Sequence, residues 1–153
     1  MENKISVNVL FFFTVFLLAI IIILILCHSG KQSQACFKEH CFNIELAVTD
    51  EERNRGLMFR EYLAFNEAML FIFPEEREYP FWMKNTLIPL DIIWINQEKE
   101  VVFIIENLQP CEDEYPCPLV RPDKNAKYVL EVNEGIVEKI GLEVGDKILL
   151  FVK

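Results

Sequence analysis

Pro89-Leu90-Asp91-Ile92-Ile93-Trp94-Ile95-Asn96-Gln97-Glu98-Lys99-Glu100-Val101-Val102-Phe103-Ile104-Ile105 reads as two β-strands and the turn between them. Leu90 to Ile95 is apolar on both parities except at Asp91. That is the pattern of a strand covered on both faces, and it predicts a central place in a sheet. Asn96 to Lys99 is polar and predicts a hairpin turn, with Val101 to Ile105 as the returning strand.

Further strands lie on either side of this hairpin. Phe42 to Val48 alternates apolar and polar, which predicts a half-buried strand. Thr49-Asp50-Glu51-Glu52 predicts a helix start, because Thr49 or Asp50 can cap it and the acids suit the positive N-terminal end. Gly56 is placed to stop that helix. Ala68 to Phe73 is a continuous apolar run ended by Pro74, and Phe81-Trp82-Met83 predicts the start of another strand. Gln109 to Asn125 holds four prolines and predicts a long loop. Lys127 to Val132 and Lys147 to Val152 complete the strands, and Glu134 to Ile140 predicts one or two helical turns stopped at Gly141. About seven short strands with two short helices predict an all-β domain, a small barrel or a sandwich.

The N-terminus has a different character. Val9 to Leu26 is apolar except for Thr14. A helix of that length spans most of a hydrocarbon core about 30 Å thick, and the run is longer than the apolar region of an ordinary signal peptide. The expectation is an uncleaved signal anchor over residues 1–30, a tether over 31–36 and a folded domain over 37–153. Cysteines set the compartment. Apart from Cys27 they come as two close pairs, Cys36 with Cys41 and Cys111 with Cys117, which predicts two disulfides and an oxidising environment. The chain therefore reads as a single-pass membrane protein with its domain outside the cytoplasm, contacting the membrane through residues 9–26. A formal net charge of −9 argues against nucleic acid as a partner, since phosphates require a basic surface.

Several motifs together resemble one family. They are Arg55-Gly56-Leu57-Met58-Phe59-Arg60, Met69-Leu70-Phe71, Phe81-Trp82-Met83-Lys84-Asn85-Thr86, Pro89-Leu90-Asp91-Ile92, Pro110-Cys111, Tyr128-Val129-Leu130-Glu131-Val132 and Gly145-Asp146. Their order and spacing resemble the domain of unknown function 192 family from about Ile44 to the C-terminus. The resemblance implies a compact, mostly β domain, often secreted or membrane-anchored, and no established activity. Cys36 and Cys41 fall before the region of resemblance.

The candidate site comes from the residues themselves. Asp91 stands among apolar neighbours and needs partners, because an unpaired buried charge is expensive. Lys84, Arg55 or Arg60 would serve, at a polar site by the strand mouth; the alternative is an aspartate tying a loop through backbone amides. Glu131 shares a strand face with Val129. If it met Asp91, the pair would supply a general acid and base of the kind that hydrolyses glycosides. Trp82 offers a flat ring with a polar edge, suited to sugars and small molecules. Arg55, Trp82, Lys84, Asn85, Asp91 and Glu131 are thus the candidate ligand-binding set, with Asp91 and Glu131 as candidate catalytic residues. Phe73 and Phe103 read as packing.

Other chemistries lack their residues. No phosphate-cradling glycine loop and no nucleophile elbow is present, and the two histidines, His28 and His40, lie at the N-terminal end. No metal site and no cofactor is expected. Met58, Met69 and Met83 would suit a soft metal such as Cu(I), but methionines beside aromatics more commonly fill core gaps. The reading that follows is a binding module for a small polar or carbohydrate-like ligand rather than an enzyme. A hydrolase built on Asp91 and Glu131, or a structural interaction domain at the cell envelope, are the alternatives.

Overall fold

The computed structural model describes residues 7–27, 32–111 and 116–153; within the first stretch, side chains are described for 12–22 only. The chain divides into two units, Met1–Lys31 and Gln32–Lys153.

The first unit contains helix α1 (Val7–Cys27). Its described side chains are all exposed, including Phe12, Phe13, Phe16 and Leu18. Among the described residues no helix is long and apolar enough to cross a membrane, so the transmembrane helix expected over residues 9–26 is without support here. His28 lies outside the described residues.

The second unit is mostly β. In chain order it contains β1 (Gln34–Phe37), β2 (His40–Ala47), α2 (Asp50–Arg55), β3 (Glu67–Arg77), β4 (Leu90–Ile95), β5 (Val101–Leu108), β6 (Ala126–Asn133), α3 (Ile136–Ile140) and β7 (Ile148–Phe151). The seven strands form one sheet in the order β5-β4-β6-β3-β2-β1-β7. The sheet curls until its two edges touch. Glu100 and Lys147 form an antiparallel bridge, and Val101 N–H donates to the Asp146 carbonyl at 2.9 Å. The result is a half-barrel. The parallel pair, β2 with β3, is joined through α2, as a parallel pair requires a crossover.

Strand alternation sorts the apolar residues into two clusters. Inside the curl lie Phe37, Ile44, Leu70, Ile93, Leu130, Val132 and Ile148, plugged by Ile136 and Val137 of α3. The opposite face carries Met69, Phe71, Ile92, Trp94 and Val129, covered by Leu57, Leu63 and Met83 from the connecting loops. All six residues of β4 are buried, as their two-sided apolar pattern predicts. Each large side chain removed from water contributes about 1.5–3 kcal/mol before entropy is charged against it. Trp94, fully buried, also donates its Nε1–H to the Tyr79 carbonyl at 2.9 Å.

Three sequence expectations need correction. Residues 34–36, read as tether, belong to β1, which pairs with both β2 and β7. Phe81-Trp82-Met83 is not a strand; its pairing is a single bridge between Phe81 and Val120. Pro74 does not end β3. It falls in the register shift between Ile72 and Arg77, where its missing N–H breaks no ladder bond. The short helices fall where expected. Thr49 caps α2 in a capping box with Glu52, whose carboxylate accepts from the Val48 and Thr49 amides. Those amide bonds hold the Glu52 carboxyl below its usual range.

Candidate functional site

The two buried carboxylates occupy opposite faces of the sheet. Asp91 lies across from Val132, and Glu131 lies across from Ile92. Asp91 thus shares the inner face with Val132, and Glu131 the outer face with Ile92. Asp91 accepts from Asn107 N–H at 2.8 Å through one oxygen and from Val137 N–H at 2.9 Å through the other. It ties the end of β5 and the first turn of α3 to β4. Of the two sequence readings of Asp91, a basic partner from Lys84, Arg55 or Arg60 is corrected and the tie to backbone amides is the one observed. A catalytic pair of Asp91 with Glu131 is excluded by the sheet between them.

Glu131 sits in a row across the outer face: Glu45 beside Met69, Met69 beside Glu131, Glu131 beside Ile92. It is buried, and among the described residues its Oε2 has no hydrogen-bond partner. Burial pushes its carboxyl up to about 8, against a smaller lowering pull from Arg60. Arg60 itself is engaged by Glu45 in an ion pair.

Glu131 and Phe71 line a cavity of 30 Å³, with Gly56 and Met58 on one side and Phe81, Trp82 and Thr86 on another. Arg53, Asn54, Arg55 and Lys84 add to the polar lining. The turn at Gly56 makes this possible. Its φ of 47° is one that L residues avoid, and a Cβ there would meet the Phe71 ring at 3.2 Å. Next to the small cavity runs a wider groove of 430 Å³ that shares Arg53, Asn54, Phe81 and Trp82 with it. Its wall includes Phe73 stacked on Tyr79, ring centres 3.6 Å apart. The Lys84 ammonium lies 5.1 Å from the centre of the Trp82 ring. At an exposed site that contact is worth about 0.5–1 kcal/mol, and Trp82 is 42% exposed.

A family model now bears on the chain: domain of unknown function 192, described as an uncharacterized ACR, matches residues 33–150. The chain belongs to the domain of unknown function 192 family. The match starts upstream of Ile44 and takes in Cys36 and Cys41. A UPF0127 protein of Thermococcus sibiricus is 29% identical over 110 residues, covering 69% of this chain and 64% of that protein. The chain thus spans just under two thirds of that relative's length. Two solved structures are similar. One, a candidate transcription regulator from Sinorhizobium meliloti, is 33% identical with a TM-score of 0.70, over 77% of this chain and 91% of that one. The other, a protein of unknown function from Novosphingobium aromaticivorans, is 34% identical with a TM-score of 0.69, over 76% of this chain and 82% of that one.

Four of the six candidate residues of this family member meet at one cavity: Arg55, Trp82, Lys84 and Glu131. Asp91 lies on the other side of the sheet. Asn85 is not part of the lining. It adopts a left-handed φ of 56°, its carbonyl accepts from Phe59 N–H at 2.7 Å, and its side chain reaches Met58 Sδ at 3.8 Å. It joins the loop after Phe81 to the loop after Gly56. Sequence reasoning missed Gly56, Thr86 and Phe81 as lining residues, although each adjoins a candidate within a motif. Phe73, read as packing, forms part of the groove wall, whereas Phe103 packs on Trp94 at 5.3 Å. Met69 and Met83 are core residues, and among the described residues no group of three His, Cys, Asp or Glu stands close enough to hold a metal. Cys36 faces Cys41 across the β1–β2 hairpin with Cα atoms 4.1 Å apart, and Cys111 stands 5.9 Å from Cys117; both are disulfide distances.

Proposed function

We propose that this protein is a membrane-anchored, extracytoplasmic module that binds a small polar or carbohydrate-like ligand at the Glu131 cavity. One observation carries the binding: a buried carboxyl with an unpartnered oxygen, lining a cavity whose other residues include Trp82, Lys84 and Arg55. A buried polar atom without a partner costs about 1–3 kcal/mol, and a ligand that supplies the missing hydrogen bond recovers that cost. The groove alongside offers aromatic area for a ring to lie on. Two cysteine pairs at disulfide distance support an oxidising compartment. The apolar run from Val9 to Leu26 is the sequence ground for the anchor. Hydrolysis by an Asp91–Glu131 pair is not proposed, because the two lie on opposite faces.

A thermal-shift screen of the full-length chain against small sugars and sugar acids tests the binding. A ligand at about a hundred times its Kd stabilises the fold by about 2.7 kcal/mol. That shift should vanish in Trp82→Ala while the unliganded melting temperature stays within a degree or so of the original, since Trp82 is partly exposed. A screen without any shift would leave a structural module. For the anchor, the intact mass of the chain recovered from the membrane fraction decides: a mature chain beginning near Ser29 or Gly30 would exclude it.

A further inference from the structure

We propose that the Glu131 cavity takes the anionic head of its ligand, a carboxylate or phosphate carried on a polar ring, with Arg55 and Lys84 as the cations that hold it and Trp82 as the platform under the ring. This rests on the binding reading above and narrows it to a class of ligand.

The charges around the cavity do not cancel. Asp50 is engaged by Arg53, Glu52 by the amides of its capping box, and Glu45 by Arg60. Arg53 is itself engaged, by Asp50 and by the Val48 and Ile72 carbonyls. Among the described residues, Arg55 and Lys84 have no ion pair and no side-chain hydrogen bond, yet both line the cavity. Two cations without a counter-ion, one of them lying over the Trp82 ring, line a single cavity in a chain whose net charge is −9. A cationic ligand would be repelled there, and a neutral one would leave both charges unused.

Glu131 adds a third donor. The groups that face it are Arg53 and Arg55 from α2, Arg60 from the loop that follows, and Lys84 from the loop after Phe81. On the neighbouring strands it meets Met69 and Ile92, both apolar. Its carboxyl is neutral below about 8. A neutral carboxyl donates a hydrogen bond to an anion; an ionised one repels it. Size separates head from body. A cavity of 30 Å³ has room for about one water-sized group, so an oxygen of the charged head enters while the rest of the ligand stays outside. The ring must lie in the adjoining 430 Å³ groove, which Phe81 and Trp82 share with the cavity.

Isothermal titration of the full-length chain in detergent micelles at about pH 6 tests this, with galacturonate, glucose 6-phosphate, glucose and inorganic sulfate as probes. At least one acidic sugar should bind about tenfold or more tighter than glucose, and Arg55→Ala and Lys84→Ala should each erase most of that preference. Which acidic sugar wins distinguishes a carboxylate head from a phosphate. Raising the solution to about pH 9 should weaken the acidic sugar in the native chain but not in Glu131→Gln, because Arg and Lys stay charged there while Glu131 ionises. Glucose binding as tightly as both acidic sugars would overturn the anionic head and leave the binding module standing. Sulfate binding as tightly as either would overturn the ring. Silence from all four probes would take down both the head and the module.

Discussion

Asp91 has both carboxylate oxygens occupied by backbone amides, whereas Glu131 has an oxygen with no partner at all. Substitution should therefore act differently at the two positions. In Asp91→Asn one of the two acceptors becomes a donor and faces an N–H, so stability should fall by about 1–3 kcal/mol with ligand binding unchanged. Loss of binding with normal stability would return Asp91 to the site. Glu131 depends on pH. Unfolded, its carboxyl keeps a proton only below the ordinary glutamate value of 4.5; folded, it keeps one up to about 8. Between these values the native chain holds the extra proton, so stability falls as pH rises through this window and levels off above about 8. The fall attributable to Glu131 is at most about 5 kcal/mol. Urea midpoints at about pH 5 and pH 9 should show a smaller drop in Glu131→Gln than in the native chain; equal drops would place the titration on another group.

At the scale of elements, the site depends on one turn. Gly56 ends α2 with a left-handed φ and lets the chain pass close over Phe71 and Glu131. Gly56→Ala would set a Cβ 3.2 Å from the Phe71 ring and 3.9 Å from Glu131 Oε2. It should cost about 1–2 kcal/mol from backbone strain and narrow the cavity. Lower melting temperature together with weaker ligand binding is the expected result. Normal binding would mean that the turn does not shape the site. Elements that pair locally were the legible ones. The β4–β5 hairpin and the capping box of α2 rest on contacts a few residues apart, so pattern and capping chemistry suffice to place them. β1 was missed because Gln34–Phe37 is only four residues long, and its strand character comes from partners on both sides. Phe81 to Met83 was mistaken for a strand because apolar residues that cover a sheet look, in sequence, like residues that belong to one.

At the scale of the molecule, the sequence by itself determined the fold class, the family motifs, the two cysteine pairs and four of the residues that line the cavity, Arg55, Trp82, Lys84 and Glu131. These are carried by residue type and short spacing: alternating or two-sided apolar runs, a capping box, a glycine that only a turn would need. Tertiary structure decided which residues meet. The meeting of the sheet's edges at Glu100 and Lys147, and the parallel pairing of β2 with β3, join residues far apart in the chain. The register of β4 against β6 does the most for function. It sets Glu131 beside Ile92 and Asp91 beside Val132, and so places the two carboxylates on opposite faces. A shift of one residue would have put them on the same face. No local pattern encodes that shift, because β4 is apolar on both parities and offers no polar face to set its register. The faces were chosen by the packing of both clusters at once, and with them the choice between a pair of adjacent acids and a single buried acid lining a small cavity.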